Sequence, residues 1–329
     1  MRGRLAIAAI VLFSTFCAYA QEDDRLWIEA RWNFDQEFSD GKWNGEARAD
    51  FLNLQLSKHF SDKFYFRFRQ RLVNRIDFNH DILSATDFLW LTWKATPKLS
   101  FTLGKQPIFI GGYEYDAPPI DVYYWGKFCL GLRQYYAPGI SADYEVSPGQ
   151  HIAVQFAESS LVAPYTGKFS YNIEWNGKLF PWWNTLWSMN ILENEDRGNL
   201  GIVSLGNRMI FGPLAVDLDF INRASRRQKN YLSDWSAITK IIYNVGHFDL
   251  CSKAGYEKNS AENVDADGLT YDITVPAGEE YIYAGAGIEY FPLKERNLRL
   301  HLAYYWDSDH DHKHNVVLGV TYKFTLTKL

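Results

Sequence analysis

Arginines at alternate positions form the pattern richest in chemistry. Arg67, Arg69 and Arg71, with Arg75 two places beyond Val73, interleave with Phe66, Phe68 and Leu72. On an extended strand successive side chains point to opposite faces, so the guanidiniums form a column backed by an apolar face. Along a wet passage such a column lowers the barrier for anions and grips phosphate or carboxylate through forked hydrogen bonds. Paired instead with acids such as Glu29, Asp35 or Asp50, the same arginines would stiffen a wall. Lys94, in parity with Trp90 and Thr92, is expected on the same side. Arg133 joins this set of pore-lining residues if its strand keeps parity with Ser141, Asp143 and Glu145.

A second group lies in the stretch from Gln106 to Gly131, where Glu114, Asp116 and Asp121 stand among Tyr113, Tyr115 and Tyr123. A connection this rich in aromatics, Gly and Pro is too apolar to stand free in water and is expected to pack on something. Folding inward as a constriction loop, its acids shaping the local field, is the functional expectation; packing over a mouth or at a subunit contact is the alternative. A third group, His310, His312 and His314 with acids between them, has the donors of a weak metal site. A solvated loop explains it as well. Neither a catalytic constellation nor a cofactor motif is apparent, so the chain is not read as an enzyme and no cofactor is expected.

Elements that hold such residues must be strands. Ile28, Ala30, Trp32 and Phe34 alternate with Glu29, Arg31, Asn33 and Asp35. Leu52, Leu54 and Leu56 alternate with Asn53, Gln55 and Ser57, and the pattern recurs to Val316, Leu318, Val320, Tyr322 and Phe324 near the end. Long connections near 36–46, 74–86, 106–131, 157–168, 193–199, 223–234, 257–279 and 306–314 alternate with shorter ones, such as Ser61-Asp62, Thr96–Lys98 and the Gly177–Asn184 stretch. Eight loops and seven turns predict about sixteen strands in an all-β, closed, antiparallel, transmembrane up-and-down barrel. Closure follows from physics, because backbone groups facing hydrocarbon find no water and an open edge would be left unsatisfied. Trp93, Trp182, Trp183, Trp187, Tyr290, Phe291 and Tyr322, near strand ends, suit interfacial girdles.

Composition fits an exported membrane barrel. Arg2 and Arg4, the apolar run Leu5 to Phe16 and Ala18-Tyr19-Ala20 have the layout of a signal peptide, residues 1–20, leaving 21–329 as the barrel domain. Removing Arg2 and Arg4 from the 34 basic residues leaves 32 against 39 acidic, net −7, which is no footprint for nucleic acid. Aromatics reach 17%, yet no later apolar run is long enough for a spanning helix. Cys129 and Cys251 are read as unpaired structural thiols rather than a disulfide framework.

Gly104-Lys105-Gln106-Pro107, leading into Gly111-Gly112-Tyr113-Glu114-Tyr115-Asp116 and Pro119-Ile120-Asp121-Val122-Tyr123, resembles porins of the phosphate-selective O and P type. The resemblance covers about twenty residues. It implies a sixteen-stranded, often trimeric barrel with a loop folded into the pore, and phosphate selectivity from arginine and lysine ladders. Lys105 matches the motif, although parity with Leu99, Phe101 and Leu103 puts it on the lipid side unless Gly104 breaks the register. The expected protein is thus an outer-membrane porin passing small hydrophilic solutes or ions, with anions or phosphate as one solute class. Its expected partners are outer-membrane lipid, those solutes and a homotrimer. The alternatives are a soluble secreted β-protein that binds glycans, and a barrel enzyme using Asp309 and His312.

Overall fold

The computed structural model describes residues 24–39, 41–73, 83–195, 198–226, 228–264, 269–309 and 313–329. The segment read as a signal peptide, Arg75, His310 and His312 lie outside them. Sixteen strands are found among the described residues: β1 (Arg25–Ser39), β2 (Lys42–Ser61), β3 (Phe64–Arg71), β4 (Thr86–Lys94) and β5 (Leu99–Pro107). They continue as β6 (Tyr136–Ser147), β7 (Gln150–Glu158), β8 (Phe169–Phe180), β9 (Trp183–Asn194), β10 (Gly198–Phe211) and β11 (Leu214–Ser225). The last are β12 (Asp234–Val245), β13 (Phe248–Lys258), β14 (Glu280–Tyr290), β15 (Leu298–Asp307) and β16 (Lys313–Lys328). Each strand pairs antiparallel with its sequence neighbour, and β1 closes on β16 in a register that includes Trp32 opposite Val320. The sheet therefore has no open edge.

The two faces divide as an inverted protein would. Trp32, Phe34, Ile152, Val154, Phe156 and Leu318 are exposed on the outside, while Asn53, Gln55, Ser57, Asn172 and Thr321 are buried on the other face. Apolar side chains facing out and polar ones facing in suit a hydrocarbon surround. At the turn end of the wall Phe180, Trp182 and Phe211 pack together, with ring centroids 5.6 and 5.2 Å apart. Trp183 and Trp187 donate their indole N–H groups to Asn207 at 2.9 and 3.3 Å. Phe291 departs from the girdle expectation. It is buried, with the Arg296 guanidinium 3.6 Å over its ring.

Several connections are shorter than expected. Residues 36–46 form a hairpin in which Gly41, at φ 72°, turns the chain between Ser39 and Lys42. Strands of 15 and 20 residues absorb the polar residues that had suggested a loop. β9 and β10, and likewise β15 and β16, also extend into the supposed connections near 193–199 and 306–314. The reason is pairing: an antiparallel ladder continues beyond the apolar belt wherever neighbouring backbones can satisfy one another.

The interior differs from a uniformly polar lumen. Leu192, Leu200, Ile202, Ile221 and Ile238 face inward and form an apolar cluster with Ile108, Ile110, Phe128 and Leu132 of the β5–β6 connection. Burying such a patch stabilises the seat of an inward-folded segment at roughly 25 cal/mol per Å² of apolar surface. Cys129 is buried in the same cluster and Cys251 is partly buried, both as free thiols.

Candidate functional site

Residues 108–135 cross the inside of the barrel. The path begins on β7, where Gln155 accepts from the Phe109 amide and donates to Pro107 O, both at 2.8 Å. On β9 and β10, Ser188 accepts from the Gly111 amide at 2.8 Å and Ser204 donates to Gly111 O. The backbone nearly touches the wall there. A Cβ on Gly206 would lie 2.6 Å from the Gly112 Cα, so only glycine permits the approach.

Asp219 of β11 then accepts the amides of Tyr113 and Glu114 at 3.0 and 2.6 Å, at the start of the short helix α1 (Tyr113–Asp116). Lys253 of β13 pairs with Glu114 and also donates to Tyr124 O. Beyond Pro118 the segment reaches the opposite wall. Arg31 of β1 donates to Ile120 O at 2.9 Å and to Val122 O at 2.7 Å. Arg299 of β15 donates to Ile120 O at 3.0 Å and pairs with Asp121 at 2.9 Å. Tyr123 stacks on His301, with centroids 4.4 Å apart, and donates to Glu289 at 2.6 Å. The chain returns through α2 (Lys127–Gly131), whose Lys127 and Phe128 amides donate to Glu257 at 2.7 and 2.8 Å.

A segment bonded in turn to β7, β9, β10, β11, β13, β15 and β1 of a closed barrel lies within it. Charge-assisted hydrogen bonds of this kind contribute about 1.5–3 kcal/mol each, so the seat is held firmly. Burial alone would raise the Asp121 carboxyl, yet Lys323 and Arg299 beside it hold it well below the ordinary carboxylate range. Burial pushes the Tyr113 phenol and the Cys129 thiol upward. It also pushes the Asp116 carboxyl up to about 7, against the opposing pull of Arg208.

A second connection also turns inward. In the described part of the β13–β14 connection, Asp272 forms a fully buried ion pair with Arg223 at 2.7 Å. Asn194 donates to Tyr271 O at 3.0 Å, and a Cβ on Gly131 would meet Thr274 O at 2.3 Å. The two inward segments thus pack on each other.

The residues singled out from the sequence divide. Tyr113, Glu114, Tyr115, Asp116, Asp121 and Tyr123 all belong to the inward segment and are buried or partly buried. Arg67, Arg69 and Arg71 share the inner face of β3. Arg69 and Arg71 both pair with Asp87, at 2.9 and 3.1 Å, and Arg67 lies 4.5 Å over the Trp27 ring. Lys94 is exposed at the end of β4. Arg133 falls before β6, which begins at Tyr136, so the parity assumed for it does not apply and it is an exposed loop residue. Lys105 donates to Leu83 O at 2.9 Å, although Gly104 has φ 131°. His314 accepts or donates at 2.8 Å with the Tyr304 hydroxyl. Sequence reading passed over Arg31, Arg299, Lys253, Asp219 and Glu257 as holders of the segment. Each stands on the polar row of its strand, so its facing was available from parity, while its partner was not.

Neither the protein-family models nor the curated proteins contain a match to this chain. Solved structures do match it, at low identity. OprB of Pseudomonas putida aligns at a TM-score of 0.64 and 12% identity, covering 92% of this chain and 94% of that one. An anion-selective porin from Comamonas acidovorans aligns at 0.59 and 11% identity, over 91% and 98%. OmpT of Vibrio cholerae, an outer membrane protein in its trimer form, aligns at 0.58 and 11%, over 92% and 100%. The chain shares the fold of outer-membrane porin barrels.

Proposed function

We propose that the protein is a passive, water-filled channel of the bacterial outer membrane for small hydrophilic solutes, whose bore is set by residues 108–135. The observation that carries this reading is the anchoring of that segment to the far wall through Arg31 and Arg299. A barrel filled only for stability needs no such span, whereas a channel needs a rigid narrowing to discriminate by size and charge. Export through residues 1–20, insertion of 21–329 with lipid against the apolar face, and assembly into a homotrimer that buries part of that wall belong to the same reading. Catalysis is not part of it.

The solute class turns on which charges are available to a passing ion. An anion or phosphate preference would rest on the β3 guanidiniums, two of which share Asp87. The test is reconstitution of the folded barrel in planar bilayers. Stepwise conductance is the expected result, and folded protein that gives no steps overturns the reading.

A further inference from the structure

One sector of the outer wall is hollowed. Across β5 to β11 the lipid-facing side carries a furrow of about 910 Å³, with Phe101 at one end and Ala224 at the other. Register lays it straight across the strands. Ala142, Val154, Ile173, Met189 and Val203 stand opposite one another in turn from β6 to β10, all on the outward row. A second row, two residues nearer the loops, ends where Gly201 faces Ala224 and small side chains deepen the floor. Six steps of just under 5 Å between strands make the furrow roughly 29 Å long. Phe101 lies near the turn end of β5 and Ala224 near the loop end of β11, so the furrow climbs obliquely from turn side to loop side. Behind it Leu192, Leu200 and Ile202 pack on the inward segment, so this sector is apolar on both faces.

The loop end of the furrow differs from the rest. Tyr231 of the β11–β12 connection lines it and is exposed, as is Leu232 beside it, which suits the membrane–water interface. Arg226, the residue after β11 ends, and Lys229, two residues before Tyr231, are both exposed, and neither pairs with an acid among the described residues. Two carboxylates stand close by in register or by bonding, and each is engaged. Glu262 accepts from the Asn230 amide at 3.0 Å, while Glu193 accepts from the Phe169 amide at 3.0 Å and the Tyr171 hydroxyl at 3.4 Å. A long apolar furrow against hydrocarbon forfeits dispersion contacts unless a chain lies in it. Cations where it opens to the interface attract an anionic headgroup, and a guanidinium matches phosphate with forked hydrogen bonds.

We infer that the furrow is a binding site for a phospholipid, one acyl chain lying from Tyr231 toward Phe101 and the phosphate held by Arg226 and Lys229. The inference rests on the membrane insertion that belongs to the channel reading, and not on conduction. Length and charge together select this occupant: the furrow is long and narrow as an acyl chain is, and its cations stand at one end only.

Native mass spectrometry of the full-length protein in detergent tests it, with phosphatidylglycerol and with a diacylglycerol of the same acyl chains as probes. The wild type should retain one phosphatidylglycerol and hold it more tightly than the diacylglycerol. Arg226→Gln with Lys229→Gln should weaken phosphatidylglycerol roughly tenfold and leave the diacylglycerol unchanged. Gly201→Trp, which fills the furrow, should displace both lipids, whereas Ile288→Trp on the outward row of β14 should displace neither. Should Gly201→Trp fail to fold, the double change in the exposed connection decides alone. Equal retention of the two lipids, or retention indifferent to the double change, would overturn the inference. So would chain-to-chain cross-linking of Met189→Cys in vesicles, which would place a second copy in the furrow. Protein that conducts in steps yet retains no lipid would overturn it and leave the channel reading standing. Folded protein that does not enter a bilayer would remove both.

Discussion

Two sectors of the same inner wall use charge in opposite ways. On β1, β3 and β15 the arginines are occupied: Arg31 and Arg299 hold the carbonyls of the inward segment, and Arg69 and Arg71 share Asp87. Across β6 to β8, Glu174 and Asp143 each leave a carboxylate oxygen without a partner and, unlike Asp35 of β1, whose Oδ1 is likewise unpartnered, pair with no arginine or lysine among the described residues. Abundance of a charge type along a strand therefore says little about what a passing ion meets. Whether a charged side chain is partnered depends on which neighbour the register supplies.

Removing the occupied cations should have the largest effect. Arg31→Ala with Arg299→Ala takes away both clamps on Ile120 O and one of the two cations at each of Asp50, which keeps Arg48, and Asp121, which keeps Lys323. Losing a hydrogen bond to a charged group costs about 1.5–3 kcal/mol. Unfolding in detergent should shift accordingly, and single-channel conductance should rise severalfold and become noisy as the segment leaves its seat. Unchanged, quiet steps would show that these arginines do not hold the bore.

A smaller version of the same break needs no charge at all. Gly206→Val would drive a side chain into the Gly112 backbone, which cannot yield as a flexible side chain would. Overpacking of this kind costs about 1–3 kcal/mol, and the conductance should rise without a change in ion preference. A preference that moved with the size would mean that the seat at β10 also sets charge selection.

The barrel and its inside-out alternation were legible in the sequence because period two survives in most strands, β4 with its Phe88–Leu91 run being an exception, and inward rows can be counted from Arg67 or Asn53. The site was legible in half. Tyr113 to Tyr123 announced themselves by a composition that could not stand in water, so that they pack on something followed from the sequence, while packing inward rather than over a mouth did not. Glu174 carries no such sign, since its lack of a partner depends on Ala153 of β7 and Ser188 of β9 standing opposite it. The strand ends failed for a similar reason: Glu37 and Asn44 read as loop residues until the hairpin ladder through Gly41 pairs their backbones. The apolar inner patch at Leu200, Ile202 and Ile221 was hidden because alternation assigns one face to lipid and cannot tell that the other also has a dry region.

Titration sharpens the contrast between the sectors. Asp116 lies in the inward segment, outside the spanning strands, and burial raises its carboxyl to about 7 despite Arg208, with Asp217 adding to the rise. Below that value it is neutral, so the cation-to-anion permeability ratio should grow as the pH is raised through 7. Stability should move the other way. A carboxyl whose folded value lies above its unfolded one holds its proton more tightly when folded, so its contribution is present below the unfolded value and is lost as pH rises through the folded one. Asp116→Asn should flatten both profiles, with reversal potential and detergent unfolding measured on the same preparation.

The smallest effect is expected where the occupied sector is altered without changing its sum. Arg69, Arg71 and Asp87 together carry one net positive charge, and Arg69→Met with Asp87→Leu leaves Arg71 carrying the same. Arg71 retains its bond to Ser84 O at 2.6 Å, and the two new apolar side chains fill space beside Phe88 and Tyr136, over which the Arg69 guanidinium sits. Replacing a buried ion pair by apolar groups of similar volume is often neutral or stabilising. Reversal potentials should then match the wild type closely, while Arg69→Met alone, which removes one unit of charge, should move them toward cations. If the paired change moved them as far as the single one, the guanidinium itself would be steering ions despite its partner, and occupied charge could no longer be set apart from vacant charge in this lumen.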